Sequence, residues 1–228
     1  MNIVVLDIGG SSVKVWQPLA VEPEKIETGE DFTPEDLLRE VGKRLREKTP
    51  DRISIGYPGL VRWGRPAEEA INLGQGWVGF DFAQAFGRPV RIMNDAQMQA
   101  LGGYAGGRML YLGLGTGIGT TLITEGGMSQ LALGLLPFKD NKCFEDFLTK
   151  DALAETGLEN WRSAVAEIAT LLRRAVLADY VLIGGGSVEK LDELPEGCRR
   201  GGNIDAYFGG LRMWEDIGPR TAMLDLAP

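Results

Sequence analysis

The chain reads as an α/β protein made of two similar halves, and three observations predict this. Two short apolar runs, Ile3 to Leu6 and Met109 to Leu114, have the length and composition of buried strands. Each runs straight into a glycine-rich turn, Gly9-Gly10-Ser11-Ser12 in the first case and Gly115-Thr116-Gly117-Ile118-Gly119-Thr120 in the second. Each turn is followed by a returning strand, a helix and a further strand, so one order of elements occurs twice.

In the first half, Asp7 ends the opening strand, and Val13 and Val15 resume the apolar alternation beyond the glycines. The polar stretch from Gln17 to Glu30, with Pro18 and Pro23, is expected to be an irregular hairpin or loop. Thr33 has the makings of an N-cap, with Pro34 in the first helical position and Glu35 and Asp36 in the first turn. Leu37, Leu38, Val41 and Leu45 then form a helical stripe expected to reach about Lys48. Ile53 to Ile55 is a short strand leading into Gly56-Tyr57-Pro58-Gly59, a backbone turn suited to pressing on a small ligand. Trp63 to Trp77 lacks periodicity and is expected to be an exposed functional loop; Phe80 to Phe86 is expected to make one or two helical turns. Val90 to Met93 is a strand ending in Asn94-Asp95, with a helix from Ala96 to Tyr104.

Gly102, Gly103, Gly106 and Gly107 mark the expected boundary, giving lobes of residues 1–104 and 105–228. In the second half Leu122 to Thr124 is the returning strand, and Asp151 to Thr156 a short helix. Trp161, Val165, Ile168, Leu172 and Val176 mark a long amphipathic helix. Tyr180 to Ile183 is a strand that meets Gly184-Gly185-Gly186-Ser187, and a last helix is expected from about Ile204 to Trp214.

Composition narrows the chemistry. The net charge is −8, which argues against nucleic acid or an anionic membrane surface as a partner. Histidine is absent, so a His-assisted nucleophile and a His-ligated zinc are excluded, and any general base is a carboxylate, lysine, tyrosine or cysteine. The two cysteines, Cys143 and Cys198, have no metal or disulfide spacing, and a reducing cytoplasm is expected. Met1 lies directly before the first strand, so neither a signal peptide nor an N-terminal helix-turn-helix is expected.

A single glycine turn is usually only a turn. Three of them, each directly after a buried strand, point to a phosphorylated ligand at the carboxyl ends of strands. Asp7 at a strand end fits a hydrated metal, and Lys14 and the hydroxyls of Ser11, Ser12, Thr116, Thr120 and Thr121 suit phosphate oxygens. Asp95 has two readings: the N-cap of a helix, or a general base for a substrate hydroxyl in phosphoryl transfer.

These segments, Asp7 to Lys14, Gly56 to Gly59, Asn72-Leu73 with Trp77, Asn94 to Ala96, Leu112 to Thr120 and Ile183 to Gly186, resemble the ROK sugar kinases, and most of all their polyphosphate/ATP glucokinase branch. The resemblance implies an actin-like (ribonuclease H-like) two-lobed ATPase fold, with duplicated mixed sheets flanked by helices and an active site between the lobes. It implies Mg²⁺ positioned by Asp7 through water, and terminal phosphates cradled by Gly9, Gly10, Ser11, Ser12 and Lys14. Gly115, Thr116, Gly117, Gly119 and Thr120 would contact phosphates from the other lobe, and Gly184, Gly185 and Gly186 would border the adenosine of ATP. Asn94 and Asp95 would bind the sugar, Asp95 as base, with Gly59 and Asn72 shaping the pocket. A homodimer is also implied.

One departure stands out. The family carries a Glu-x-x-His element that grips the sugar, and aligning on Leu136-Pro137 puts Ala132 and Leu135 in those places. The family's cysteine-rich zinc loop is absent too, so no zinc is expected. Lys139, Lys142, Arg199 and Arg200 read either as a basic track for a polyphosphate donor or as scattered solvated charge. Two functions follow from the sequence: a hexose kinase using ATP or polyphosphate, or a catalytically weak relative that senses nucleotide or sugar.

Overall fold

Two five-stranded sheets with the same strand order run through residues 2–17, 20, 22–45 and 49–215, the part of the chain that a computed structural model describes. The calls on Pro18, on a helix end at Lys48 and on the chain beyond residue 215 lie outside those residues.

The first sheet contains β1 (Ile3–Ile8), β2 (Ser12–Trp16) and β3 (Glu24–Glu27). Helix α1 (Pro34–Arg44) and strand β4 (Arg52–Tyr57) follow. A small hairpin of β5 (Val61–Arg62) and β6 (Arg65–Pro66) comes next, then α2 (Phe82–Phe86) and β7 (Val90–Asn94). The sheet order is β3-β2-β1-β4-β7, with β2 antiparallel and β4 parallel to β1, and β7 parallel to β4. Every residue of β1 is buried, as its unbroken apolar run requires. Thr33 caps α1 in a full capping box, its hydroxyl accepting from the Asp36 N–H while the Asp36 carboxylate accepts from the Thr33 N–H. Leu37 and Val41 on α1 pack into a core with Leu6, Ile8, Ile53, Ile55 and Trp77.

Helix α3 (Asp95–Gly103) carries the chain into the second unit and continues through Gly102 and Gly103. There β8 (Met109–Leu114), β9 (Ile118–Thr124) and β10 (Gly127–Leu131) form a meander. A 3₁₀ turn at Leu133–Leu135 leads to α4 (Glu145–Leu148), α5 (Lys150–Thr156) and the long α6 (Leu158–Ala175). Strands β11 (Tyr180–Gly184) and β12 (Cys198–Arg200) complete the order β10-β9-β8-β11-β12. The stripe Trp161, Val165, Ile168 and Leu172 is buried against Leu110, Leu112, Val181 and Ile183, and the Trp161 indole N–H donates to the Leu148 carbonyl at 3.0 Å. The duplication expected from the sequence is therefore present strand for strand.

The last helix, α7 (Ile204–Arg212), marks a difference from the sequence reading. The compact units comprise residues 2–98 with 206–215, and residues 99–205, whereas the expected boundary lay between residues 104 and 105. The cause is packing. Gly210 lies so close to β1 that a methyl added there would meet Val5 Cγ1 at 2.4 Å. The Gly210 carbonyl accepts from the buried Ser54 hydroxyl at 2.5 Å, and the Trp214 indole donates to that same Ser54 oxygen at 2.8 Å. The guanidinium groups of Arg52 and Arg91 lie over the Trp214 ring, 4.7 and 4.6 Å from its centroid.

Candidate functional site

The first unit collects its chemistry at the carboxyl ends of β1, β4 and β7. In register, Asp7 stands beside Gly56 and Gly56 beside Met93, one residue before Asn94-Asp95. Asp7 is 6% exposed, and the Lys14 ammonium from the paired strand donates to its Oδ2 at 3.2 Å. The turn between them is closed on itself, with the Gly9 N–H donating to the Ser12 carbonyl. Beyond β3, Thr28 holds the tip from the side: its hydroxyl donates to the Gly9 carbonyl at 2.9 Å and its N–H to the Ser11 carbonyl. Gly10 has no room for a side chain, because a methyl there would sit 2.7 Å from Asn72 Cβ. The predicted hairpin and the predicted Asn72 thus touch.

Asn94 and Asp95 have separate jobs. The Asn94 amide donates to the carbonyls of Tyr57 and Gly59, at 3.3 and 3.1 Å, and its oxygen accepts from the N–H groups of Ala96 and Gln97. Both amide protons and both lone pairs are committed within the protein, so Asn94 works as the cap of α3 and ties the Tyr57–Gly59 turn to it. Asp95 was weighed as a cap, yet the capping is done by its neighbour. Asp95 accepts from the adjacent Ala96 N–H at 2.8 Å, and the residue is half-buried with its carboxyl in dense surroundings. Burial pushes that carboxyl up to about 7, the Asp7 charge adds to the rise, and the Ala96 N–H and Asn94 side chain oppose it. Gly56 makes the approach of Asp95 possible, since a methyl at Gly56 would lie 3.3 Å from Asp95 Cα and 2.5 Å from Met98 Cε. A carboxyl that titrates near neutrality, beside a turn of backbone N–H groups, is equipped to take a proton from a hydroxyl.

The segment from Gly59 to Gly79 is more ordered than an exposed loop. Trp77 is fully buried among Phe32, Tyr57 and Phe82, correcting the expectation for that end of the stretch. Two acids that the sequence reading passed over, Glu68 and Glu69, organise it. Glu68 accepts from the Leu60 N–H through its side chain and from the Tyr57 hydroxyl through its carbonyl. Glu69 accepts from the N–H groups of Gly76, Trp77 and Val78 at 3.2, 3.0 and 3.3 Å. Burial first, and the Glu69 charge second, push the Tyr57 hydroxyl well above its usual range. The only sequence signal was an acidic pair ending eight residues before a tryptophan that follows a glycine.

In the second unit the predicted residues gather around Leu114 and Gly115. The Lys150 N–H at the start of α5 donates to the Gly115 carbonyl, and the Ser187 N–H donates to the Leu114 carbonyl. Gly185 has φ +81°, and a methyl there would meet the Leu114 oxygen at 2.3 Å, so only glycine fits. Gly184 packs on the Tyr111 hydroxyl, while Gly117 and Gly186 border open space. Gly119 lies in β9 opposite Gly113. Thr120 departs from its predicted role: its hydroxyl is 1% exposed, donates to the Leu131 carbonyl and accepts from the Leu133 N–H, which fastens β9 to the following turn. The four basic residues of the candidate track each have a partner within the protein, Lys142 lying 5.9 Å from the Phe147 ring centroid. Lys139 pairs with Glu167 at 2.7 Å, Arg199 stacks on Tyr180, and Arg200 donates to the carbonyls of Val188 and Leu191.

Mg²⁺ is tested by the donor set. Among the described residues no group of three His, Cys, Asp or Glu side chains is placed to hold a metal. A magnesium ion that keeps its waters and arrives on phosphate needs only one or two carboxylates, and Asp7 fits that requirement.

No family model matches the sequence, and no curated protein matches it. Solved structures do match in fold. The inorganic polyphosphate/ATP-glucomannokinase of Arthrobacter sp. strain KM has a TM-score of 0.75 at 22% identity, covering 92% of this chain and 96% of its own. A ROK family protein of Streptococcus pneumoniae TIGR4 in complex with sucrose has a TM-score of 0.74 at 17% identity, covering 94% and 98%. A ROK family glucokinase of Streptomyces griseus in complex with glucose and AMPPNP has 0.68 at 15% identity, covering 93% and 99%. With both sheets in the same order and nearly full coverage on either side, the chain has the actin-like fold of the ROK sugar kinases.

Proposed function

We propose that this chain is a sugar kinase of the ROK type, transferring the terminal phosphoryl group of ATP to a hexose hydroxyl. The observation that carries the reading is Asp95, a carboxyl pushed up to about 7 at the end of β7, one strand removed from Asp7 and its glycine turn. In this reading Asp95 accepts the hydroxyl proton, and Asn94 fixes the helix start and the Tyr57–Gly59 turn around it. Asp7 would hold hydrated Mg²⁺, which supplies neutralisation of phosphate charge when bound. The backbone N–H groups of Gly10 to Ser12 and of Gly115 to Gly117 would grip phosphate oxygens, with Gly184 to Gly186 bordering the nucleoside. ATP is favoured over polyphosphate because Lys139, Arg199 and Arg200 are already engaged within the protein.

The test is a product assay of ATP and polyphosphate against a broad hexose panel with Mg²⁺, run beside Asp95→Asn. Phosphorylated sugar from the parent and its loss in the variant are expected; no product from the parent with either donor overturns the reading.

A specific observation supports a second reading, a nucleotide- or sugar-binding sensor with weak or no catalysis. Ala132 and Leu135 stand where the resembling family has its sugar-gripping acid and histidine, and Leu135 is 64% exposed. Each missing polar partner costs about 1–3 kcal/mol of sugar affinity. Calorimetry that finds nucleotide binding without turnover would favour this sensor.

A further inference from the structure

Glu69 belongs to no part of the chemistry described above, yet its carboxylate is tied into the backbone of its own loop. Three successive backbone N–H groups, those of Gly76, Trp77 and Val78, converge on its two oxygens at 3.0–3.3 Å. A ring of contacts therefore closes between residues 69 and 78, and Asn72 lies inside it. On one side the ring is pinned by the Gly74 N–H donating to the Phe32 carbonyl, with Gly74 so close to Asp31 that a methyl would meet its carbonyl carbon at 2.9 Å. Trp77 anchors it in the core. What this ring presents is Asn72, whose Cβ rests against Gly10 at the hairpin tip.

We propose that Glu69 is a positioning residue that sets the Asn72 loop against the Gly9–Ser12 hairpin and thereby shapes the acceptor pocket; this rests on the kinase reading above. The argument is one of charge and geometry. A carboxylate accepting several backbone N–H bonds is among the stronger local anchors, because those bonds are charge-assisted. Successive N–H groups pointing one way would otherwise recruit an anion from solution, or a phosphate of the ligand itself. Glu69 fills that nest from within the chain. It leaves the N–H groups of Gly10 to Ser12 at the hairpin tip as the open anion site, and it fixes the reach of Asn72 without touching substrate.

The experiment compares Glu69→Gln and Glu69→Ala with the parent in the full chain. Gln keeps the shape and one accepting oxygen, and Ala removes the anchor. The acceptor is glucose, or the panel sugar that turns over fastest if glucose does not react. Glu69→Ala is expected to raise the acceptor KM about tenfold or more, with kcat within about threefold and the KM for ATP unchanged, and Gln to fall between. In the Ala variant, exchange of the Gly76, Trp77 and Val78 amides should quicken by at least about tenfold. Adding Asn72→Ala to Glu69→Ala should cost less than Asn72→Ala does alone. An acceptor KM within about twofold of the parent, or equal falls in kcat and both affinities that track a lowered Tm, overturns the proposal. If the parent phosphorylates no sugar, the kinase reading fails by itself. Amide exchange then judges the anchor alone: faster exchange at residues 76–78 sustains it, and unchanged exchange overturns it.

Discussion

The two sheets share strand order but carry opposite chemistry at their carboxyl ends. In the first, Asp7 stands one residue before the end of β1 and β7 runs into Asn94-Asp95. In the second, the equivalent row reads Gly113, Gly184 and Gly201, and the carboxylate beside it, Asp205, accepts from the Gly202 N–H at 2.8 Å. The same difference marks the hairpins. The first turn is packed by Thr28, by Asn72 and by the Asp7–Lys14 pair, whereas a methyl added at Gly117 in the second would meet nothing within 4 Å. Two copies of one strand order therefore differ in what stands at their strand ends: acidic side chains in a packed setting in the first, mostly glycine backbone in the second.

That contrast can be broken most forcefully at Asp95. Asp95→Asn should lower kcat/KM by about 10²- to 10⁴-fold while leaving the fold intact, measured by coupled assay and circular dichroism. No substitution in the glycine row of the second unit should act so selectively on kcat. Gly185→Ala should be the harshest change there, because a positive φ and a methyl 2.3 Å from the Leu114 oxygen both oppose it. A loss of about 1–3 kcal/mol in denaturant unfolding, together with weaker nucleotide binding, is expected.

The pH response sharpens the comparison further. With the Asp95 carboxyl at about 7 in the folded chain and an ordinary carboxyl value when unfolded, the folded state holds a proton that the unfolded chain has released between about pH 4 and 7. Stability from this group is therefore greatest on the acid side and is lost as pH rises through about 7, while activity needing the free base rises over that same window. Thermal melts from pH 5 to 8 should show Asp95→Asn gaining on the parent as pH increases. A gap independent of pH would refute the assignment. The smallest effect belongs to Gly117→Ala, which meets open space and should change stability by less than about 0.5 kcal/mol.

The sequence made some of this legible and hid the rest for identifiable reasons. Strands β1 and β8, the Thr33 cap and the α6 stripe were readable because each is written in neighbouring residues. Strands β10 and β12 escaped notice because Gly127–Leu131 and Cys198–Arg200 are edge strands with much of their surface outside the core, where apolar patterning is not required. Asp95 was found at a strand end, but the roles of Asn94 and Thr120 were not, since a polar side chain's partner cannot be inferred from its own position. Glu69 was missed for the same reason: its three partners are backbone groups, which every sequence has. The return of α7 was invisible because it depends on Val5 and Gly210, more than two hundred residues apart.

That return has a consequence for how the protein is made. Residues 99–205 form a continuous unit, able to collapse once they leave the ribosome, while the sheet opened by β1 must wait for Gly210 and Trp214 before its outer face is covered. The nascent chain therefore finishes its first-born sheet last, and a stop codon placed just before residue 206 would strip Ser54 of its helix partner and leave the acid-bearing half unsealed.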